Sequence, residues 1–330
     1  MTFDLLIVGQ RGRVGWEAGL LAATLRHASP RWDGRLIVAE PQPGPRWDHD
    51  PRIANPELRT MLGAFGAEIV PFENKHFGQS YPQGNKIEAL QVLPPDRPFL
   101  FLDSDTAILG ELADLDIDFA RPAASMKRED TWPVEELYGP SRDAIWGSLY
   151  AAAGLDFGSS QDTAWPVGHW RRYLYFNAGW FFGADGPSFH RAFLDAALMI
   201  RDAPPEPAQD QPLDPWLDQV ALPLAIHRLG GGRPGQRGGI TPDALDGSHT
   251  IHWRAMPLFY ATAPDAAVAT VEAAAAPNRV KKVLKGHEPF LRFLYQGRGA
   301  RARALFDRTA LPAKERAVRN VLRRANLWMR

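Results

Sequence analysis

Over the first hundred residues, short apolar runs alternate with amphipathic stretches. The run DLLIV (Asp4–Val8) predicts a strand. Residues 16–27, with Leu20, Leu21 and Leu25 on one side, predict a helix. RLIVAE (35–40) predicts a second strand. Residues 57–65 predict a second helix, entered through Pro56, because a missing N–H costs nothing at the first helical position. EIVPF (68–72) predicts a third strand, residues 86–92 a short helix, and Phe99–Leu102 a fourth strand. Runs that are apolar throughout suit strands covered on both faces. Strands alternating with helices predict βαβ units, a parallel sheet and right-handed crossovers.

Beyond residue 110 the pattern is irregular and rich in aromatic residues. A strand is expected over 174–182. A helix over 188–201 is expected to be capped by Ser188, with Phe189, Phe193 and Leu198 on its apolar face. Residues 203–212 read as a loop. Residues 214–230 read as helical, with Pro223 ending or kinking the helix. The glycine-rich stretch 230–239 lacks the Lys-Ser/Thr ending of a phosphate-binding P-loop. Residues 248–253 predict a strand and 264–276 an alanine-rich helix. The expected division is a catalytic domain over 1–262 and a basic helical extension over 263–330.

Composition narrows the chemistry. The chain has 330 residues and no cysteine, which excludes disulfides, thiolate catalysis and cysteine-held metals. A reducing, cytoplasmic setting fits this. No apolar run approaches the roughly 20 residues of a membrane helix. The net charge is zero but unevenly spread. Residues 281–330 carry 14 Lys and Arg against 3 Asp and Glu, leaving 24 basic and 35 acidic residues in the remainder. Such a tail suits an anionic partner, the inner membrane surface, another protein, or the acidic body itself. Leu311, Val318, Val321, Leu322 and Leu327 among its arginines read as an amphipathic helix. No zinc-finger spacing or RNP-type motif points to nucleic acid.

One feature carries chemistry outright. In PFLFLDSDTAIL the fourth strand ends on Asp103 and Asp105. In open α/β sheets, ligands bind at the carboxyl ends of strands. Two carboxylates where the chain turns can reach one cation. Oxygen ligands suit Mg²⁺ or Mn²⁺, and a histidine partner favours Mn²⁺. The bland alternative is a capping Asp103 beside a solvated Asp105.

Further segments accompany this motif in a fixed order: GNKIEAL with Lys86, YFNAGWFF with Asn177, LDQVAL with Asp218 and Gln219, and IHW with His252. In order and spacing, over residues 3–255, the chain resembles the nucleotide-sugar glycosyltransferases of the GT-A fold. It is most similar to the retaining branch that contains glycogenin and the bacterial lipopolysaccharide galactosyltransferases. The resemblance implies a Rossmann-like, three-layer α/β sandwich with a C-terminal helical extension. It implies that Asp103, Asp105 and His252 hold the metal and that Lys86 contacts a phosphate or the donor sugar. It further implies that Asn177 bonds a sugar hydroxyl, and that Asp218 and Gln219 sit beside the anomeric carbon. Arg11 and Arg13 would meet the base or diphosphate. The substrates implied are a nucleoside-diphosphate sugar, UDP-linked by preference, and a glycan, lipid or surface-polysaccharide acceptor. His252 is followed by WRAMP, without the glycine and lysine that family places after its histidine. Arg254, or Lys281, Lys282 and Lys285, would then supply the missing charge.

Structural readings of the same residues stand beside these. His249 competes with His252 as a ligand. Trp132, Trp165, Trp170 and Trp180 stack on sugars or fill the core. A haloacid-dehalogenase-type phosphatase would want Thr or Val at position 107, where Ala stands, and its motif on the first strand. A sugar-nucleotide nucleotidyltransferase would want a basic glycine-rich loop after the first strand, which GQRGRVG (9–15) partly resembles. A non-catalytic nucleotide-sugar-binding protein on the same fold is the remaining alternative.

Overall fold

The computed structural model describes residues 2–128 and 131–329. The strands are β1 (Asp4–Val8), β2 (Leu36–Pro41), β3 (Ala67–Phe72), β4 (Phe99–Leu102), β5 (Thr106–Ile108), β6 (Ala124–Ser125), β7 (Asn177–Gly183) and β8 (Thr250–His252). The helices of the first half are α1 (Arg13–Ala28), α2 (Pro56–Ala64), α3 (Asn85–Glu88) and α4 (Arg142–Ala152). They are followed by α5 (Gly186–Asp202), α6 (Leu217–Arg228), α7 (Met256–Thr262) and α8 (Asp265–Ala275). The chain ends through α9 (Asn278–Leu284), α10 (Glu288–Phe290), α11 (Arg298–Arg303) and α12 (Glu315–Arg324).

The main sheet runs β3-β2-β1-β4-β7-β6. β1 to β4 are parallel, and β7 is antiparallel to both β4 and β6. Side chains alternate across it. Leu5, Ile7, Leu100 and Leu102 enter one core, while Leu6, Val8, Phe99 and Phe101 enter the other. α1, α2, α8 and α12 contribute to the first core and α4, α5 and α6 to the second, so helices cover both faces. The parallel strands are those expected from the alternation, and the three layers are those the resemblance implies. β5 and β8 form a separate two-stranded antiparallel ribbon beyond the end of β4.

Several local expectations shift. α5 is capped by Asp185, whose Oδ2 accepts from Ser188 N at 2.8 Å, and not by Ser188. Pro187 tolerates the first turn, so the helix starts earlier. α6 runs through Pro223 without ending, although proline removes the bond its N–H would make to the Gln219 carbonyl. Residues 86–92 divide into the single turn α3 and a 3₁₀ segment, Ala89–Val92. The helix α4 was not anticipated, although Ser141 caps it and Ile145, Trp146, Leu149 and Tyr150 form its buried face.

In the basic tail, Val318, Leu322 and Leu327 are buried in the first core. These three of the five apolar positions in the amphipathic pattern therefore face the protein's own body, while Leu311 and Val321 are half-buried. Among the described residues, no helix is long and apolar enough to cross a membrane.

Candidate active site

β4 delivers Asp103 to the carboxyl edge of the sheet, beside the end of β1. The chain turns there, held by the Asp103 N–H donating to the Gly179 carbonyl at 2.8 Å. Two residues on, β5 pairs with β8 in a register that sets Thr106 opposite His252. The Trp253 N–H donates to the Asp105 carbonyl at 2.9 Å. This ribbon joins segments some 150 residues apart. It places His252 Nε2 2.9 Å from Asp105 Oδ1 and 3.9 Å from Asp103 Oδ2. One donor atom from each of Asp103, Asp105 and His252 falls within 4.8 Å of the others. Gly179 makes room for this, since a Cβ there would lie 2.5 Å from His252 Nδ1. His249 faces Ser248 instead, 2.9 Å from its Oγ.

Lys86, on α3, bridges two carboxylates. Its Nζ is 3.0 Å from Asp103 Oδ1 and 3.1 Å from Asp218 Oδ2, and it donates to the Ala178 carbonyl at 3.1 Å. Asp218 is nearly inaccessible, and its Oδ1 accepts from the Tyr81 hydroxyl at 2.7 Å. The neighbouring Gln219 Oε1 accepts from the Tyr175 hydroxyl at 2.7 Å. Asn177 Oδ1 accepts from the Gly179 N–H at 2.9 Å. Each amide thus spends its oxygen on the protein, which leaves the NH₂ as its remaining polar group. Arg13 opens α1 next to this cluster, 2.6 Å from Glu17 and 3.5 Å from Asp105.

The charges tune one another. Burial opposes ionisation of Asp105, yet His252, Arg13 and Lys86 together hold its pKa well below the usual carboxylate range. Burial dominates at Asp103 and pushes it up, aided by the Asp105 charge and opposed by Lys86 and His252. His252 and Lys86 are both raised, because their carboxylate partners outweigh the burial that works against them. Two hard oxygen ligands and one imidazole nitrogen, converging on one point, are a donor set that fits Mn²⁺ or Mg²⁺.

These residues line a cavity of about 480 Å³ with Arg254, Trp216, Arg128 and Arg319. Arg254 has a positive φ of 58° and pairs with Glu315 of α12 at 2.7 Å. Arg11 lies elsewhere, in a neighbouring cavity with Glu40, Asp50, Arg52 and Arg59. Lys281 and Lys285 lie over the Tyr295 ring, and neither they nor Lys282 reach the cleft. Trp132 and Trp180 are core residues, whereas Trp170 carries Arg128 on its ring at 4.4 Å. Tyr81, Arg128 and Arg319 went unread in the sequence. Each depends on long-range contact and sits in no motif.

A cleft at the carboxyl edge of a mostly parallel sheet, with paired carboxylates and a lysine, defines the class: an α/β enzyme. The family model of the Rhodobacterales glycosyltransferase domain matches residues 5–230, about two thirds of the chain, and the protein belongs to that family. It is therefore a transferase, and the phosphatase, nucleotidyltransferase and idle-binder readings fall away. His252, Arg254 and Arg319 lie beyond the matched residues. No curated protein matches the sequence.

Similar solved structures are glycosyltransferases. The WbbM bifunctional glycosyltransferase is 14% identical over 71% of this chain and 39% of its own, with a TM-score of 0.38. The galactosyltransferase LgtC, solved with donor and acceptor sugar analogues, is 14% identical over 70% of this chain and 73% of its own, with a TM-score of 0.40. GlyE of Streptococcus pneumoniae TIGR4 is 14% identical over 70% of this chain and 45% of its own, with a TM-score of 0.35. The chain thus spans less than half of WbbM and of GlyE.

Proposed function

We propose that the protein moves a sugar from a nucleoside-diphosphate donor, UDP-linked by preference, to a glycan, lipid or surface-polysaccharide acceptor, with Mn²⁺ or Mg²⁺ as its ion. The observation that carries this reading is the convergence of Asp103, Asp105 and His252 beside the Lys86–Asp218 pair. Asp103, Asp105 and His252 would hold the ion, which when bound supplies Lewis-acid stabilisation of charge developing on a diphosphate.

The chain's own residues do the rest. Lys86 fixes the spacing of Asp103 and Asp218. Asp218, held by Lys86 and Tyr81, sets negative potential beside the anomeric carbon, where positive charge develops as the C1–O bond breaks. The NH₂ groups of Asn177 and Gln219 orient the donor's hydroxyls. Arg13, Arg254 and Arg319 supply the positive charge that the missing lysine after His252 would otherwise bring. Arg11 has no role at the donor in this reading. Residues 1–262 form the catalytic unit, and the 263–330 extension closes its cleft through α12. The setting is the cytoplasm, where nucleotide sugars are available.

The test is nucleotide release from a panel of UDP-, GDP- and CMP-sugars, with and without Mn²⁺. Metal-dependent release from a UDP-sugar is expected. Release that ignores chelation of the ion, or none from any UDP-sugar, contradicts the reading.

A further inference from the structure

The cleft does not end at the donor side. It continues into a groove of about 640 Å³ walled by Lys314, Glu315, Arg316, Arg319 and Arg323, with Arg128 opposite. Five of these six side chains are cations. The one carboxylate is already engaged, since Glu315 pairs with both Arg254 and Arg319. Lys314, Arg316 and Arg323 are exposed and do not line the donor cavity, while Arg128 and Arg319 line both spaces and form the seam. Like charges gathered this closely repel unless an anion joins them.

Arg128 shows the demand most sharply. Its guanidinium lies over Trp170 at 4.4 Å and over Tyr175 at 5.2 Å, and Nη2 donates to the Trp170 carbonyl at 3.1 Å. Nη1 is buried with no hydrogen-bond partner among the described residues, and so is Arg319 Nε. A buried donor left unpaired costs about 1–3 kcal/mol, and more when charged. Burial, with Arg233, Arg171 and Arg142 nearby, brings Arg128 down to about 10, so it stays charged at neutral pH. The ring beneath it belongs to Tyr175, whose hydroxyl donates to Gln219. The seam is therefore built onto the reacting end of the cleft.

We infer that this groove binds a phosphate group of the acceptor, so that the second substrate is a phosphorylated or pyrophosphoryl-linked sugar. Guanidinium forks match phosphate oxygens two at a time. An excess of four positive charges suits a polyanionic phosphate better than one carboxylate. The acceptor's free hydroxyl would face the donor's anomeric carbon. Its oxygen forms the new bond to C1, the bond from C1 to the donor diphosphate breaks with its electron pair leaving on the nucleotide, and the hydroxyl proton goes to the departing diphosphate. The acceptor's own phosphate is unchanged. This deepens the donor reading above and rests on it.

Calorimetry on the full chain tests it, with α-glucose 1-phosphate, glucose and glucuronate as probes. UDP and Mn²⁺ are titrated first and then held at saturation. Glucose 1-phosphate is expected to bind with UDP in place, more tightly than glucose or glucuronate. The double variant R316E/R323E, altered only at exposed positions, should weaken glucose 1-phosphate at least tenfold and leave UDP within twofold. Sedimentation with phosphatidylcholine vesicles, with and without phosphatidylglycerol, is the second arm. The inference is overturned if glucose 1-phosphate displaces UDP, binds wild type and variant equally, or does not bind. Preference for glucuronate, or binding to anionic vesicles alone, overturns it too. Failure of the donor reading shows separately, as absent UDP binding in the first titration, and the groove can still be titrated.

Discussion

Lys86 holds two carboxylates with one ammonium group. Asp103 and Asp218 both lie within 3.1 Å of it, with Asp218 buried and Lys86 and Asp103 half-buried in the cleft wall. Removing one partner of a buried ionic cluster costs about 3–5 kcal/mol, because the remaining charge is left uncompensated. Lys86→Met is expected to lower unfolding free energy by about 3 kcal/mol in urea titration. The double variant K86M/D218N should recover part of that loss. A Lys86→Met protein as stable as wild type would mean the cluster is solvated and the bridge incidental. Gly179 makes a complementary test. Gly179→Ala drives a Cβ toward His252 Nδ1 and Asn177 Oδ1, which would lie 2.5 and 2.9 Å away. Mn²⁺-dependent UDP binding should fall at least tenfold. Unchanged binding would show that His252 need not sit where the ribbon places it.

At the scale of elements, α12 is the part whose role changes most between sequence and structure. Read alone, its alternation of arginines and aliphatic residues fits a membrane surface or a partner. Folded, Val318 and Leu322 are buried in the core shared with α1 and β1, and only the cationic side faces the cleft. Leu322→Ala should therefore cost about 3 kcal/mol of global stability, within the range for buried leucines. A loss confined to a few tenths, with rapid proteolysis of the tail alone, would mean α12 docks weakly. The Asp103–Asp105 turn was legible because strand β4 could be read from a local run of four apolar residues, and its carboxyl edge from its place in the strand–helix series. His252 was legible only through resemblance, as its placement depends on the β5–β8 pairing. Tyr81, Arg128 and Arg319 were not legible, since nothing local in the sequence says which helix end will face which carboxylate.

For the molecule as a whole, two half-buried histidines set an acid limit. Burial, with Arg237 and Arg233 adding to it, lowers His227 to about 4. Burial and Arg13 lower His287 to about 4 as well. Unfolded, each titrates near 6.5. The unfolded chain thus binds these protons first, and the contribution of these two rings to stability is full above about pH 6.5 and falls as the pH drops toward 4. Melting temperature should decline over that window, and His227→Gln should shallow the slope. A flat profile for the wild type would contradict the burial of these rings.

The central claim is that Asp103, Asp105 and His252 form one ion site serving a nucleotide. It is tested most directly by calorimetric titration of UDP with and without Mn²⁺, in the wild type and in Asp105→Ala. The account predicts Mn²⁺-dependent UDP binding in the wild type and its loss in the variant. UDP binding that is indifferent to Mn²⁺, or that survives Asp105→Ala unchanged, would contradict it.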